Sequence, residues 1–383
     1  MKKIVFVIGN LRVGGVQKAL IELLRSIEGV YDISLLCFDK EGSFFADVPQ
    51  SIKVLPTNHL LELTERSASE MRNVGFRYFL LRYILVFIAR KISRKLAAKV
   101  LIKIVGKVDG KYDMAISYAH PMPDSFFCNL GCEIVLGCIH AKKKTAFIHC
   151  NFSEYGGNTE YNRWLLRHFD KIAVVSDSVG KDLISCIPDI EGKVTTVRNC
   201  HDYEKIRKMA DDNPVVYDHE INFVTIARLS EEKGLLRCIP AFVTIHNAGK
   251  DISWTIVGDG PLKQSICDEI KRKNAEEYIM LAGEHTNSYR YIKNADYLLL
   301  PSYHEAAPMV FDEAASLGVP ILTTETSSAV EMVADRKIGF VCDNSEDGIY
   351  TAILKLVEKP KNKISMTISN EEAVTSFMKL CEG

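Results

Sequence analysis

Short runs that are apolar from end to end recur along this chain, each followed by a longer stretch with helical spacing. In the first half they are KIVFVIG (3–9), DISLLCF (32–38), DMAISYA (113–119), TAFIHC (145–150) and KIAVVS (171–176). In the second half they are NFVTIA (222–227), SWTIVG (253–258), YIMLAG (278–283), YLLLPS (297–302), VPILTT (319–324) and GFVC (339–342). A strand with one wet face alternates apolar and polar residues, whereas one that is apolar throughout is covered on both faces. Such covering needs helices on either side, so the pattern requires parallel sheets built from repeated strand and helix units. The 383 residues exceed what a single core usually organises, and two doubly wound, Rossmann-like α/β domains are expected. The boundaries read as a first domain over 1–200, a linker over 201–220 in the polar stretch containing Pro214, and a second domain over 221–365. A closing helix over 366–383, with Val374, Phe377, Met378 and Leu380 near one face, is expected to pack back on the first domain.

A net charge of -1 gives no overall attraction to nucleic acid, so any electrostatic preference must be local. Met1-Lys2-Lys3 runs straight into IVFVIG without the apolar region and cleavage site of a secretory leader, so the eleven cysteines are expected as reduced thiols in a cytoplasmic protein. Cys128, Cys132, Cys138 and His140 have the spacing C-x3-C-x5-C-x-H, which matches no standard zinc pattern, and no metal site is expected.

One segment breaks the rhythm. From Met71 to Lys111 there are eleven Lys or Arg and a single acid, Asp109, interleaved with Phe76, Tyr78, Phe79, Tyr83 and Phe87. Its apolar part, Tyr83 to Ala89, is too short to span a bilayer. Residues 72–107 therefore read either as a basic amphipathic surface lying on anionic lipid or as a solvated helix pair with one buried face.

Several turns from strand to helix carry residues suited to an anionic ligand. Gly9-Asn10-Leu11-Arg12-Val13-Gly14-Gly15 leads into a helix whose free N–H groups and dipole favour negative charge. The dinucleotide fingerprint G-x-G-x-x-G is absent, and Asp39 near the end of the second strand is weak support for a nicotinamide cofactor. After the strand at 222–227, Arg228 and Lys233 stand five apart at a helix start, where cations gain nothing from the dipole; that placement points to a phosphate clamp. Gly258 and the Gly283-Glu284-His285 turn lie at the same sheet edge, where open α/β sheets bind ligands. In HEAAPMVFDEAASLGVP (304–320), Glu305 falls in a loop and Glu313 about a turn and a half into the helix that begins near Pro308. The N–H groups of Ala307, Met309 and Val310 are candidate donors beside these carboxylates. His120 and Asp124, following the strand at 113–119, are candidate acceptor contacts.

Taken together, Glu305-x7-Glu313, the Arg228 and Lys233 pair in ARLSEEKG, the Gly14-Gly15 loop and a histidine after TAFI resemble glycosyltransferase family 4, retaining enzymes of the GT-B fold that include bacterial polysaccharide-biosynthesis glycosyltransferases. The resemblance runs from the first strand to about residue 345 and implies two Rossmann-like domains facing each other across a cleft. It assigns Glu313 to the nucleotide ribose, Glu305 to the transferred sugar, Arg228 and Lys233 to the donor diphosphate, and Gly14 and Gly15 to the loop that closes on the diphosphate. His149 matches the histidine near the donor sugar. Catalysis would thus rest on His149, Glu305, Arg228 and Lys233. The family usually has Gly after the first glutamate where Ala306 stands here, a departure that bears on the sugar pocket and on which hexose fits.

The implied reaction moves a hexose or related sugar from a nucleotide sugar to a saccharide acceptor through an oxocarbenium-like state, without a cofactor. The sequence contains no Asp-x-Asp, so metal independence is expected, with cations and helix termini neutralising the departing diphosphate. UDP is the donor nucleotide expected from family frequency. A lipid-linked saccharide met at the cytoplasmic membrane face is the expected acceptor, in cell-surface polysaccharide synthesis. Other classes are a glycoside hydrolase or phosphorylase, disfavoured by the upstream diphosphate cations, and a non-catalytic partner subunit, disfavoured because the site residues are present.

Overall fold

Every apolar run found in the sequence forms a parallel strand. The computed structural model describes residues 1–359, 364 and 368–382. Two compact units emerge: Met1–Cys200 together with the segment from Asn370, and His201–Ser369. The first sheet contains β1 (Lys3–Asn10), β2 (Asp32–Asp39), β3 (Lys53–Val54), β4 (Tyr112–Ser117), β5 (Ala141–Ile148), β6 (Lys171–Val174) and β7 (Val194–Thr196), in the order β3-β2-β1-β4-β5-β6-β7. The second contains β8 (Ile221–Ile226), β9 (Ile252–Val257), β10 (Ile279–Gly283), β11 (Tyr297–Leu300), β12 (Ile321–Thr324) and β13 (Gly339–Cys342), in the order β10-β9-β8-β11-β12-β13. Edge strands β3 and β7 escaped the sequence reading because they are two and three residues long and only partly buried.

The apolar strands do bury both faces. Neighbouring residues Phe223 and Val224 point to opposite sides of β8, and both are fully buried. Phe223 packs with Phe242 and Trp254 on one side, while Val224 packs with Leu298, Phe311 and Ala314 on the other. The stretch 201–220 carries the helix Tyr203–Ala210, whose Ile206 and Ala210 join the second of these cores. Tyr203 and Met209 pack half-buried beside them, but the remaining residues of the helix are charged, which is why the stretch reads as a linker. The boundary expected at 365 and 366 lies outside the described residues. The helix Glu371–Glu382 packs into the first unit, with Phe377 stacked on Phe6 at 5.9 Å and Lys2 Nζ donating to Cys381 O at 3.0 Å.

In the basic segment, helices Phe76–Lys91 and Arg94–Val105 bury Leu85, Ala89, Ala97, Ala98 and Leu101 against Met71, Phe127 and Leu130. On the opposite face of the first helix Phe76, Leu80, Tyr83, Ile84 and Phe87 form an exposed stripe at helical spacing. Among the described residues no helix is long and apolar enough to cross a membrane. The described cysteines are free, and among the described residues no group of three His, Cys, Asp or Glu could hold a metal ion. Burial pushes the Cys132 thiol up to about 12.

Candidate active site

Strand order places the best crevice in the second unit. From β8 the chain proceeds outward through β9 and β10, and from β11 it proceeds the other way through β12 and β13, so the loops after β8 and β11 diverge at a topological switch point. Residues 227–234 and 301–308 occupy those two loops. Gly234 adopts a left-handed conformation at φ 61°, and a Cβ there would stand 2.3 Å from Pro301 O. Glycine thus lets one loop lie against the other, and Tyr303 N–H donates to Glu232 O at 2.8 Å across the seam.

At this seam Lys233 Nζ meets Glu305 Oε1 at 2.6 Å. The same carboxylate oxygen accepts from Ser302 Oγ at 2.6 Å, and the Glu305 carbonyl accepts from Ser327 Oγ at 3.0 Å and Ser328 Oγ at 3.1 Å. Glu305 is thereby held at side chain and backbone, its side chain 8% exposed against 22% for Lys233. Arg228, at the mouth of the β8 loop, is exposed and its guanidinium makes no hydrogen bond among the described residues. A cation left over at a switch point is available to an anion.

The residue that holds the seam together is one the sequence reading missed. Arg237, buried just beyond Lys233, donates from Nη2 to Pro301 O at 2.7 Å, Ser302 O at 3.2 Å and Asn344 Oδ1 at 2.6 Å, and its guanidinium lies 3.9 Å over the Tyr303 ring. Arginine's planar fork suits this task of binding several carbonyls at once. A signal was present, since Arg237 interrupts the apolar run Leu235, Leu236, Cys238, Ile239.

Glu313 belongs to the helix Met309–Ser316, which buries Val310, Phe311, Ala314 and Ala315 in the core. Next to it, Asp312 pairs with Arg336 Nη2 at 2.5 Å and lies 3.4 Å from His201 Nε2. Burial pushes the Asp312 carboxyl up, but His201 and Arg336 outweigh it and hold it below the usual range. These contacts fix the rotation of the helix and with it the buried Glu313. No side chain caps this helix at Pro308, and the N–H groups of Met309 and Val310 have no protein acceptor among the described residues. Ala307 immediately precedes that turn. Gly258 packs its backbone against the β8 loop, a Cβ standing 1.9 Å from Ala227 O. Glu284 is exposed beyond β10, whereas His285 turns back, its Nε2 3.0 Å from Ala282 O and 2.8 Å from the Tyr291 hydroxyl.

The first unit has its own switch point between β1 and β4. Gly14 and Gly15 open the helix Gly15–Ser26 there, and a Cβ on Gly15 would meet nothing within 4 Å. The loop is braced from below: Asn10 Nδ2 donates to Glu65 Oε2 at 2.8 Å, and Asn10 Oδ1 accepts from Arg12 N at 3.2 Å. Glu65, also missed in the sequence, accepts from Asn129 N at 3.2 Å as well. Asp39, the residue weighed for a nicotinamide ribose, is fully buried between Arg12 at 2.8 Å and Arg66 at 2.9 Å. Two arginines beside a buried carboxylate give Asp39 a structural role at the strand end.

His149 follows β5, stacked near Phe147 at 5.7 Å and Tyr118 at 4.8 Å. Its Nε2 is enclosed and has no partner among the described residues. Burial drives its pKa down to about 3, helped by nearby His120 and opposed by a hydrogen bond to the Tyr118 backbone. His120 is lowered to about 4 by burial and packs edge-on against Tyr155 at 4.9 Å. Both are neutral at pH 7. Asp124 accepts from Thr159 Oγ1 at 3.0 Å, and so supports the start of the helix Glu160–Arg167.

Comparison with known proteins agrees with this layout. Residues 208–372 match the family model described as glycosyl transferases group 1. An uncharacterized glycosyltransferase of Methanocaldococcus jannaschii is 24% identical over 169 residues, covering 43% of this chain and 41% of that one. The N-acetylgalactosamine-N,N'-diacetylbacillosaminyl-diphospho-undecaprenol 4-alpha-N-acetylgalactosaminyltransferase of Campylobacter jejuni is 24% identical over 183 residues, 47% of this chain and 49% of its own. The chain thus spans about half the length of the curated relatives it matches. Among solved structures, a TarM variant of S. aureus in complex with fondaparinux, alpha-GlcNAc-glycerol and UDP has a TM-score of 0.65 at 14% identity, with 100% of this chain and 96% of that one covered. HepE of Anabaena in complex with UDP-glucose has a TM-score of 0.63 at 14% identity, with 100% and 95% covered. Likeness at that identity is one of fold, and the fold is GT-B.

Proposed function

The chain belongs, through its second unit, to the glycosyl transferases group 1, and on that premise we propose that it transfers a hexose or related sugar, with retention, from a nucleotide-sugar donor to a saccharide acceptor. The observation that carries the proposal is the Lys233 and Glu305 pair at the β8/β11 switch point, with Arg228 beside it. An ammonium has three N–H donors, and Lys233 gives one to Glu305. The remaining two, with the fork of Arg228 and the uncapped turn at Met309 and Val310, suit a diphosphate that gains charge as the sugar departs. Glu305 then lies on the sugar side and Glu313 on the ribose side of that diphosphate.

A cation pair in this position supports a metal-independent reaction. His149, neutral at pH 7, can hydrogen-bond a hydroxyl without adding positive charge. UDP is the proposed donor nucleotide; the solved relatives HepE and TarM are complexes with UDP-glucose and UDP. The acceptor is proposed to be a lipid-linked saccharide at the cytoplasmic membrane face, in polysaccharide synthesis. What supports the membrane part is the exposed stripe on the helix Phe76–Lys91, with Phe76 70%, Tyr83 63% and Phe87 54% accessible, beside exposed Arg77, Arg90 and Lys91. Aromatic and cationic residues mixed on one helix face fit an anionic interface.

The test is donor hydrolysis and binding over a panel of nucleotide sugars in EDTA, for the wild type and Glu313→Ala. Selective use of one donor, weakened in the variant, is expected. No use of any donor, or use restored only by a divalent metal, would contradict the proposal.

A further inference from the structure

The loop that carries Glu305 is tied down by side chains at nearly every carbonyl. Pairing of β11 with β8 ends at Leu298 and with β12 at Leu300. From there the carbonyls of Leu299, Leu300 and Ser302 accept from the hydroxyls of Thr225, Thr323 and Thr324 at 2.6, 2.8 and 2.5 Å. Arg237 holds Pro301 O, and Ser327 and Ser328 hold Glu305 O. Between them, Tyr303 O accepts from Asn344 Nδ2 at 3.1 Å.

Asn344 differs from the other donors in reaching two loops. Its Nδ2 also donates to Glu325 O at 3.1 Å, and its Oδ1 accepts from Arg237 Nη2 at 2.6 Å. A side-chain amide has two N–H donors, so each loop receives one. The contacts close a ring: Tyr303 leads to Glu305, Ser328 holds the Glu305 carbonyl, the chain back from Ser328 reaches Glu325, and Asn344 joins Glu325 to Tyr303. We infer that Asn344 is a positioning residue for sugar transfer, clasping the loops after β11 and β12 so that Glu305 keeps one setting against the sugar; the inference rests on the transferase reading of this site.

Exposure sets this role apart from a merely structural one. Asn344 lies exposed two residues past β13, where its hydrogen bonds exchange with those to water and contribute little to stability. The setting of a group that faces a reacting sugar is more demanding, since displacement by about 1 Å can cost about a hundredfold in rate. Lys233 and Ser302 both occupy Oε1 of Glu305, and Oε2 has no donor among the described residues. That free oxygen moves with the backbone that Asn344 fixes. Aspartate could still accept from Arg237 at this position but offers no N–H to either carbonyl.

Steady-state hydrolysis of UDP-glucose, UDP-galactose, UDP-N-acetylglucosamine and GDP-mannose by the full chain tests this, together with UDP titration calorimetry and amide hydrogen exchange. With the donor that the wild type prefers, Asn344→Asp should lower kcat about tenfold while KM and UDP affinity stay within about twofold. Asn344→Ala, which adds no charge, should behave alike, and amide exchange over residues 302–306 should rise in both variants. In a Glu305→Gln background Asn344→Asp should cost less than about twofold, because its effect passes through Glu305. Wild-type turnover and exchange in Asn344→Asp would overturn the clasp, and so would an undiminished loss in the Glu305→Gln background. A wild type that turns over none of the four donors would overturn the transferase reading, while faster exchange in the variants would still support the clasp.

Discussion

Lys233 Nζ and Glu305 Oε1 lie 2.6 Å apart although 72 positions separate them in the chain. The two residues share a crevice because β8 and β11 are neighbours in the sheet. Glu305 thus competes with any incoming anion for the lysine. Glu305→Gln should leave nucleotide diphosphate affinity unchanged or raised, while sugar transfer falls about a hundredfold through loss of a group facing the sugar. Parallel binding and turnover assays check this, and equal losses in both would be the wrong outcome.

Arg237 acts on the site only through the loop it holds. Arg237→Ala leaves the carbonyls of Pro301 and Ser302 and the Asn344 side chain without their donor, and should cost about 3 kcal/mol in urea unfolding. Arg237→Lys should recover little, because one ammonium cannot span the same acceptors. Full recovery by lysine would show that the charge alone matters.

Acid should destabilise the protein partly through His149. Its folded pKa of about 3 lies below the unfolded value near 6.5, so the unfolded chain binds the proton first. The associated stability is intact above pH 6.5 and declines as pH falls toward 3, by about 2 kcal/mol at pH 5. His120, at about 4, adds in the same direction. His149→Asn should flatten the acid limb of stability against pH measured by urea unfolding; identical slopes would contradict the burial argument.

Gly15 separates folding from function. With open space at its Cβ position and a place in the first turn of a helix, Gly15→Ala should raise stability by about 0.5 to 1 kcal/mol. If the loop closes on the donor, the added methyl should lower turnover about tenfold through misplacement. Thermal unfolding and donor turnover report the two effects, and unchanged turnover would remove the loop from the mechanism.

What could be read from the sequence follows from what burial does to composition. Strands covered on both faces are apolar at every position, so β1, β2, β4 to β6 and all six of the second sheet were visible, whereas the short edges β3 and β7 were not. Glu305 was visible as a charge at the end of an apolar strand. At Lys233 the expected helix start is the short turn Glu231–Lys233, with Lys233 its last residue, so the dipole gives no reason against a cation there, and its place after the apolar strand β8 is what marked it. Glu65 and the bracing role of Asn10 were not visible, since their partners are brought near only by the fold, and Arg237 showed only as a charge interrupting an apolar run, its carbonyl partners hidden. Asp124 was read as a candidate acceptor contact, and its donor Thr159, 35 positions along the chain, is visible only in the fold. Asp39, weak support for a cofactor in the sequence, has Arg66 beside it, whose nearness no spacing rule announces.

The most direct test of the account is UDP affinity by titration calorimetry in EDTA, for the wild type and Lys233→Met. The substitution keeps the aliphatic stem and removes the charge, and Glu305 retains its bond from Ser302. The account predicts metal-free binding that weakens about tenfold or more in the variant, as for the loss of a charge-assisted contact. Equal UDP affinity in the two proteins would contradict it, because the switch-point lysine would then not be the group that meets the diphosphate.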